Sequence, residues 1–597
     1  MSVCVERRVA GRMRGCCVYG AVVEQARSAY SRAYHLQGTC HDLYGPPKTT
    51  AAASDVMSRS VLPAGRDWAA LRAQFQWPHP AQHNIALRCC DSWAARAPDK
   101  TALIDVASDG TVRHWSYGEL ARASDRLAQS FRARGVRRGD RVAVLLQQGP
   151  AVLISHFAAL KLGAIVLPLF TLFGPDALLF RLGDSGARVI VTDIGDLDKV
   201  MTLRAQLPEL REIYALNGAA APVRDFWAEI AAASPHLDPV QTGPDDPAMI
   251  IYTSGTTGAP KGALHAHRFL SGHLPSVELH HAFFPQPGDT GWTPADWAWI
   301  GGLMNMALPC LYYGVPLVSH RMRKFDPDAA FDLIARHGVR NLFLPPTALK
   351  LMRNARVPQS VDIRSIGSGG ESVGVEVLEW ARTALDTHIN EFYGQTECNL
   401  MVTSCASVMD TVPGCMGKAT PGFDVAIIHD DGTALPDGEV GEIAVRKGTP
   451  AMFLRYWNQP AQTAEKFTGA WMRTGDLGVR DGQGNFRYVA REDDVITSAG
   501  YRIGPSEIED CLAGHPDVVM AAVVGVPDPI RTQSVCAYVV LRAGADGAGL
   551  DATLIERVRS RISPHLAPRK VVFRDSLPMT ATGKIMRRAL RDAEQGS

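Results

Sequence analysis

Short apolar runs alternate along the chain with stretches whose apolar positions recur at helical spacing, starting near residue 85. RVAVLLQ from Arg141 gives way to an amphipathic segment ending at Leu162, then to AIVLPLF from Ala164 and ARVIVTD from Ala187. This alternation predicts strand–helix–strand units, and so layered α/β structure with largely parallel sheets. Further strands are expected at AMIIYTS (from 248), VPLVSH (315), NLFLPP (341) and SIGSGG (365). From about Val412 the pattern changes: HDDGTALPDGE and RDGQGNFRYVA read as hairpin turns and predict a β-rich subdomain. Beyond REDDVI at Arg491, a helix over 506–512, the strands VVMAAVVGV and SVCAYVVL and a helix from Leu554 predict a small α+β unit. The expected organisation is an extension over 1–64, a large domain over 65–491 and a small mobile domain over 492–597.

The longest uncharged stretch, 297–319, is long enough to raise a membrane span. Gly301, Gly302, Asn305, Pro309, Gly314 and Pro316 within it read instead as a buried helix, a turn and the short strand VPLV. The first sixty residues carry eight basic and four acidic residues and four cysteines, without the apolar core of a signal peptide. They read as a flexible extension, or as sequence upstream of a working initiator at Met57.

Lysine and arginine number 62 against 61 acidic residues, so the net charge of +1 creates no global field for nucleic acid or anionic membrane. A polyanion must then be held by a local site. The twelve cysteines include no CxxC and no Cys/His cluster, which points to a reduced, cytoplasmic-type setting.

The local site is easiest to see in YTSGTTGAPKG, 252–262, directly after the apolar run AMII. Its glycines Gly255, Gly258 and Gly262 let backbone N–H groups close on a phosphate. Thr253, Ser254, Thr256 and Thr257 add hydroxyls, and Lys261 adds a point charge. Pro260 and Gly262 break the Walker pattern, which disfavours a P-loop NTPase or kinase.

This segment resembles the signature of the adenylate-forming superfamily of acyl-CoA synthetases, luciferases and peptide-synthetase adenylation domains. SGGES at 368, EFYGQTE at 391, RTGDLG at 473, REDDVITSAGYRIGPSEIE at 491 and LPMTATGKIMRR at 577 follow in that family's order, over roughly residues 85 to 590. The resemblance implies an ATP-dependent acyl-CoA synthetase. A carboxylate attacks the α-phosphorus of ATP to give acyl-AMP and pyrophosphate, and CoA then displaces AMP. Both steps need converging cations and N–H dipoles, because a carboxylate approaching a triphosphate is electrostatically opposed.

By the same resemblance, Glu397 would hold Mg²⁺ and Thr396 would donate to the α-phosphate. Gly369, Gly370 and Glu371 would form one wall of the adenine pocket, and Glu391, Phe392, Tyr393, Gly394 and Gln395 would border the nucleotide; Tyr393 reads equally as an adenine face or a core tyrosine. Asp476 is expected to accept from both ribose hydroxyls, with Arg491 beside it. Asp493 falls at the hinge. Lys584 is the expected catalytic cation of the adenylation step, and Arg502 would touch the phosphates. Ala499, Gly500, Tyr501 and Arg531 would contact CoA in a second domain orientation.

The acid pocket is expected from Trp292, Trp297, Trp299, Gly302, Met304 and Gly394. Acetate-specific relatives carry tryptophan where Gly394 stands. The missing indole therefore predicts room for a medium-chain or bulky acid, at about 0.8 kcal/mol per buried methylene. Acetate, refilled by another tryptophan, and loading of a separate carrier protein are the alternatives.

Overall fold

The computed structural model describes residues 59–595 apart from 220, 254–259, 323, 499–500, 529–530 and 581–583. Most of the extension expected over 1–64 lies outside them. Its last residues are docked: Ser60 Oγ and the amides of Val61 and Leu62 donate to the buried carboxylate of Glu278, at 2.6, 2.6 and 3.2 Å.

The apolar runs become strands where predicted. Arg141–Leu145 pairs in parallel with Ile165–Pro168 on one side and Val189–Asp193 on the other, and Pro247–Thr253 extends the parallel set. Among the described residues this sheet has eight strands, closed at one edge by the antiparallel pair Lys261–Ala266 and Arg455–Tyr456.

The helix Pro150–Lys161 departs from the expected amphipathic pattern: Ala151 through Lys161 are all buried. It packs between the helix Tyr117–Ala133 and the sheet, and a helix covered on all sides needs no polar face. The one charge it hides, Lys161, is neutralised by Asp125 at 2.7 Å and Asp91 at 2.9 Å.

A second sheet of 14 strands among the described residues holds the parallel series Asn341–Phe343, Ser365–Gly369 and Ile389–Gln395 at its centre. At Thr396 and Glu397 the chain turns and returns antiparallel as Cys398–Thr403. The β-rich part continues this same sheet through Gly417–Ala419, Asn485–Arg491, Trp471–Arg480, Val440–Arg446 and Val425–Ile428, and the two predicted hairpins pair as expected. The uncharged stretch forms helical turns through Tyr313, a left-handed Gly314 and the strand Leu317–His320. No helix among the described residues is long and apolar enough to cross a membrane.

From Ile496 onward a separate sheet forms, five-stranded among the described residues, with Val518–Asp528 and Thr532–Leu541 as its long antiparallel pair and Pro505–Ala513 and Leu550–Arg561 as flanking helices. The short segment before it is pinned by Asp494, which binds Arg591 at 2.8 Å and Arg587 at 3.6 Å from the last helix. Links across to the larger part run from Ser372 Oγ to Asp510 Oδ2 (2.8 Å) and from Arg542 to Asn354 Oδ1 (2.8 Å).

Candidate active site

Parallel register brings two of the motifs side by side. Ser368 lies opposite Glu391 and Gly369 opposite Phe392, so SGGES and EFYGQTE emerge together at the C-terminal ends of neighbouring strands. In open α/β sheets this is where ligands bind. Gly370 adopts φ +98°, a conformation side chains resist, and turns the chain across the cleft.

Asp476 and Arg491 face one another in register on the antiparallel pair Trp471–Arg480 and Asn485–Arg491. The Tyr393 hydroxyl donates to Asp476 Oδ2 at 2.6 Å, and Arg491 Nη1 stands 3.8 Å from Oδ1. Burial raises the Asp476 pKa, against the pull of Arg491 and the Tyr393 hydrogen bond. Burial opposes the Arg491 charge, but Asp476 and Asp493 hold its pKa up; Arg491 Nε donates to Asp493 Oδ1 at 3.3 Å. Tyr393 is thus tied edge-on to a carboxylate within a core cluster, which corresponds to the buried reading of this residue.

Glu397 is buried in the turn, with Oε1 accepting from the Tyr456 hydroxyl. Lys261 Nζ lies 5.3 Å from the centre of the Tyr456 ring, and Lys261 pairs with Thr253 across the hairpin. The end of the phosphate loop and Glu397 therefore share one aromatic neighbour. Ser254, Gly255, Thr256, Thr257 and Gly258 lie outside the described residues. Thr396 is half-buried beside Glu397.

Lys584 enters this cleft from the small domain. A Cβ placed on Gly370 would be 3.6 Å from Lys584 Cε and 3.8 Å from the Trp299 ring. The Ile585 amide reaches Glu371 Oε1 at 3.4 Å. Lys584 keeps surface open to the cleft, yet the protein around it lowers the ammonium pKa, while Glu371, Asp476 and Glu397 act to raise it and Arg491 to lower it further. The nearby Glu391 carboxyl, which accepts from the Val373 amide at 3.3 Å, is pushed up to about 7 by burial.

Not every expected pocket residue joins this group. Trp292 lies in register with Leu342 and shares its core cluster with Val318 and Ile366, whereas Phe343, next along the strand, packs against Trp299. Successive strand residues face opposite sides, so Trp292 is on the face away from Trp299. A Cβ on Gly302 would meet Asp296 O at 2.5 Å, so the backbone of 295–296 fills that space.

Gly394 leaves no room either. A Cβ there would sit 2.3 Å from Leu400 N and 2.8 Å from Asn399 Cα, because the returning strand packs directly on it. The inference of free pocket volume from a missing indole is corrected: backbone occupies the space. Trp297 and Met304 are fully buried in the cluster that Trp299 packs against.

The CoA group is only partly visible. Ala499 and Gly500 lie outside the described residues. Tyr501 and Arg502 sit on the strand Tyr501–Ile503 opposite Ser498 and Thr497. Arg531 donates its amide to Asp528 Oδ1 at 2.9 Å.

Sequence reasoning missed Tyr456 and Lys466. Lys466 Nζ donates to Gln395 Oε1 at 2.9 Å and Thr474 O at 3.2 Å, tying two motifs together. Neither residue lies in a run of motif character; strand pairing reveals Tyr456, and side-chain hydrogen bonds reveal Lys466.

The chain resembles known proteins along most of its length. The family profile described as AMP-binding enzyme matches residues 90–457, and that of the AMP-binding enzyme C-terminal domain matches residues 507–584. The chain is 34% identical over 546 residues to the mitochondrial acyl-coenzyme A synthetase ACSM4 of Rattus norvegicus, covering 87% of this chain and 92% of that protein. It is 31% identical over 537 residues to the acetyl-coenzyme A synthetase of Bacillus subtilis, covering 88% and 93%. The crystal structure of the anthranilate CoA ligase AuaEII in complex with anthranoyl-AMP matches with a TM-score of 0.79 at 25% identity, covering 86% of this chain and 98% of that one. The Brucella canis acyl-CoA synthetase matches with a TM-score of 0.69 at 33% identity, covering 89% and 99%. With Asp476, Glu397 and Lys584 drawn to one cleft and both profiles matched in order, the chain belongs to the AMP-binding enzyme family, as an acid–thiol ligase of the AMP-forming acyl-CoA synthetase type.

Proposed function

We propose that the enzyme activates a carboxylic acid larger than acetate through acyl-AMP and passes the acyl group to CoA, releasing AMP and pyrophosphate. The observation that carries this reading is the approach of Lys584 to Gly370 and Trp299, in a cleft that also feels Asp476 and Glu397. An ammonium there bridges the attacking carboxylate and the α-phosphate as negative charge passes between them. Asp476 accepts from the ribose hydroxyls, and Tyr393 and Arg491 hold its carboxylate in place. Thr253, Lys261 and the loop between them cradle the outer phosphates, and Thr396 donates to the α-phosphate.

The residues fit a magnesium ion. Glu397 offers a buried carboxylate oriented by Tyr456, and among the described residues no three His, Cys, Asp or Glu side chains form a protein cage. One carboxylate plus substrate phosphates and water is the usual setting for this ion, which supplies charge neutralisation to the triphosphate. CoA enters in a second orientation of the small domain, with Arg502, Tyr501 and Arg531 on its path.

Preference for a larger acid is supported by the apolar cluster of Trp297, Leu303 and Met304 against which Trp299 packs, and by the anthranilate ligase among the similar structures, whereas the Bacillus subtilis relative carries the name of an acetyl-coenzyme A synthetase. The test is pyrophosphate release with acids from acetate to decanoate and substituted benzoates, with the CoA thioester identified by mass. A kcat/KM maximum at acetate rejects the preference, and release that is independent of any acid rejects the synthetase reading.

A further inference from the structure

Behind Trp299, two carboxamides meet in the interior. Asn305 lies on the helical turn Leu303–Ala307 between Met304 and Met306 and is 2% exposed; Asn399 lies on the strand Cys398–Thr403 and is 5% exposed. Asn399 Nδ2 donates to Asn305 Oδ1 at 2.7 Å and to His273 Nε2 at 3.0 Å. His273 Nδ1 donates to Phe269 O at 2.7 Å, which fixes Nε2 as the acceptor and so fixes the orientation of the Asn399 amide. Both hydrogens of that amide are then used. Asn399 Oδ1 and Asn305 Nδ2 have no hydrogen bond within the protein among the described residues.

A purely structural amide pair closes on itself. Leaving a donor and an acceptor open side by side, in a place so little exposed, is unfavourable unless water or a ligand completes them, and a ligand of matching polarity can take the place of that water. Their position indicates which ligand. Asn305 follows Trp299, which lies with Lys584 beside Gly370, by six residues of mostly helical chain, roughly 9 Å at the helical rise. Building on the synthetase reading above, we propose that Asn305 Nδ2 and Asn399 Oδ1 form a polar end wall of the acid pocket, and that the preferred acid carries a hydroxyl roughly 9 Å from its carboxylate. A hydroxyl accepts from Asn305 and donates to Asn399, matching both open atoms.

The test uses the full chain and isosteric acid pairs of that length: 7-hydroxyheptanoate against octanoate, and 4-hydroxycinnamate against 4-methylcinnamate. Pyrophosphate release gives kcat/KM for each. The hydroxyl member of at least one pair is expected to win by about tenfold or more, since a site built to bind a hydroxyl strongly rejects its methyl analogue. Asn305→Leu is expected to abolish or invert that ratio. If that variant does not fold, Asn305→Asp keeps the acceptor for Asn399 and replaces the open donor by an oxygen, and 7-aminoheptanoate is expected to overtake 7-hydroxyheptanoate. Methyl members that equal or beat the hydroxyl members in the unaltered enzyme, or a ranking unmoved by either variant, overturn the proposal and leave the synthetase reading intact. Failure of every acid, acetate and decanoate included, overturns both.

Discussion

The amide of Ile585 donates to Glu371 Oε1 at 3.4 Å, joining the residue after Lys584 to the motif that follows the central parallel strand. That contact spans two domains and more than 200 residues of chain, as the separation of 214 between the pair records. It places an ammonium over a cleft whose other walls come from strand ends. Ser372 with Asp510 and Arg542 with Asn354 add further links between the same two parts of the chain.

Asp476→Ala removes the carboxylate proposed to grip the ribose. KM for ATP is expected to rise by about tenfold to a hundredfold, the range for a lost hydrogen bond to a charged group, with a smaller effect on KM for the acid. Tyr393→Phe, which removes only the orienting hydroxyl at 2.6 Å, is expected to have a weaker effect of the same kind. Steady-state kinetics with each substrate varied separates the two.

Gly394→Ala and Gly394→Trp test the packing correction. Because a Cβ meets Leu400 N at 2.3 Å, either change forces the hairpin apart and is expected to destabilise the fold by about 1–3 kcal/mol or more, depressing activity with every acid alike. A Gly394→Trp enzyme of normal melting temperature that gains acetate and loses longer acids contradicts this.

Glu391 links stability to pH. Its folded pKa is raised to about 7 from 4.5, so the native state holds this proton more tightly than the unfolded chain. Its contribution is complete below about pH 4.5 and is lost as pH rises to about 7. Glu391→Gln is expected to raise the melting temperature at pH 8 relative to the parent by more than at pH 5, with an upper bound of roughly 3 kcal/mol from the size of the shift. An equal difference at both pH values argues against a half-buried, proton-holding Glu391.

Much of the fold is legible in the sequence. The runs at Arg141, Ile165, Val189 and Ser365 signal their strands because both faces of a parallel sheet are covered, leaving continuous apolar segments. Asp476, Glu397 and Lys584 were legible because each stands in a motif of the family. What escaped depends on contacts between distant elements. The full burial of 151–161 follows from a second helix layer, and the open side of Gly394 is closed by a strand whose return path no local pattern encodes. Trp292 was misplaced because a cluster of tryptophans in WTPADWAW gives no hint that register sends one of them to the opposite face of the sheet.

The lowered pKa of Lys584 carries its own expectation. The adenylation step needs the ammonium, so its rate is expected to hold while the lysine is protonated and to fall as pH rises through a folded pKa below the ordinary 10.5. Rapid-quench measurement of acyl-AMP formation against pH reads this directly, and Lys584→Arg is expected to move the alkaline limb upward. A limb at the ordinary lysine position, unmoved by arginine, contradicts it.

The most direct trial of the whole account separates the two half-reactions of Lys584→Ala. Pyrophosphate formation from acid and ATP is expected to fall by about 10²-fold to 10³-fold, while thioester formation from supplied acyl-AMP and CoA stays near the parent rate. Equal losses in both halves, or an unchanged first half, would contradict the placement of this cation at the reacting phosphate.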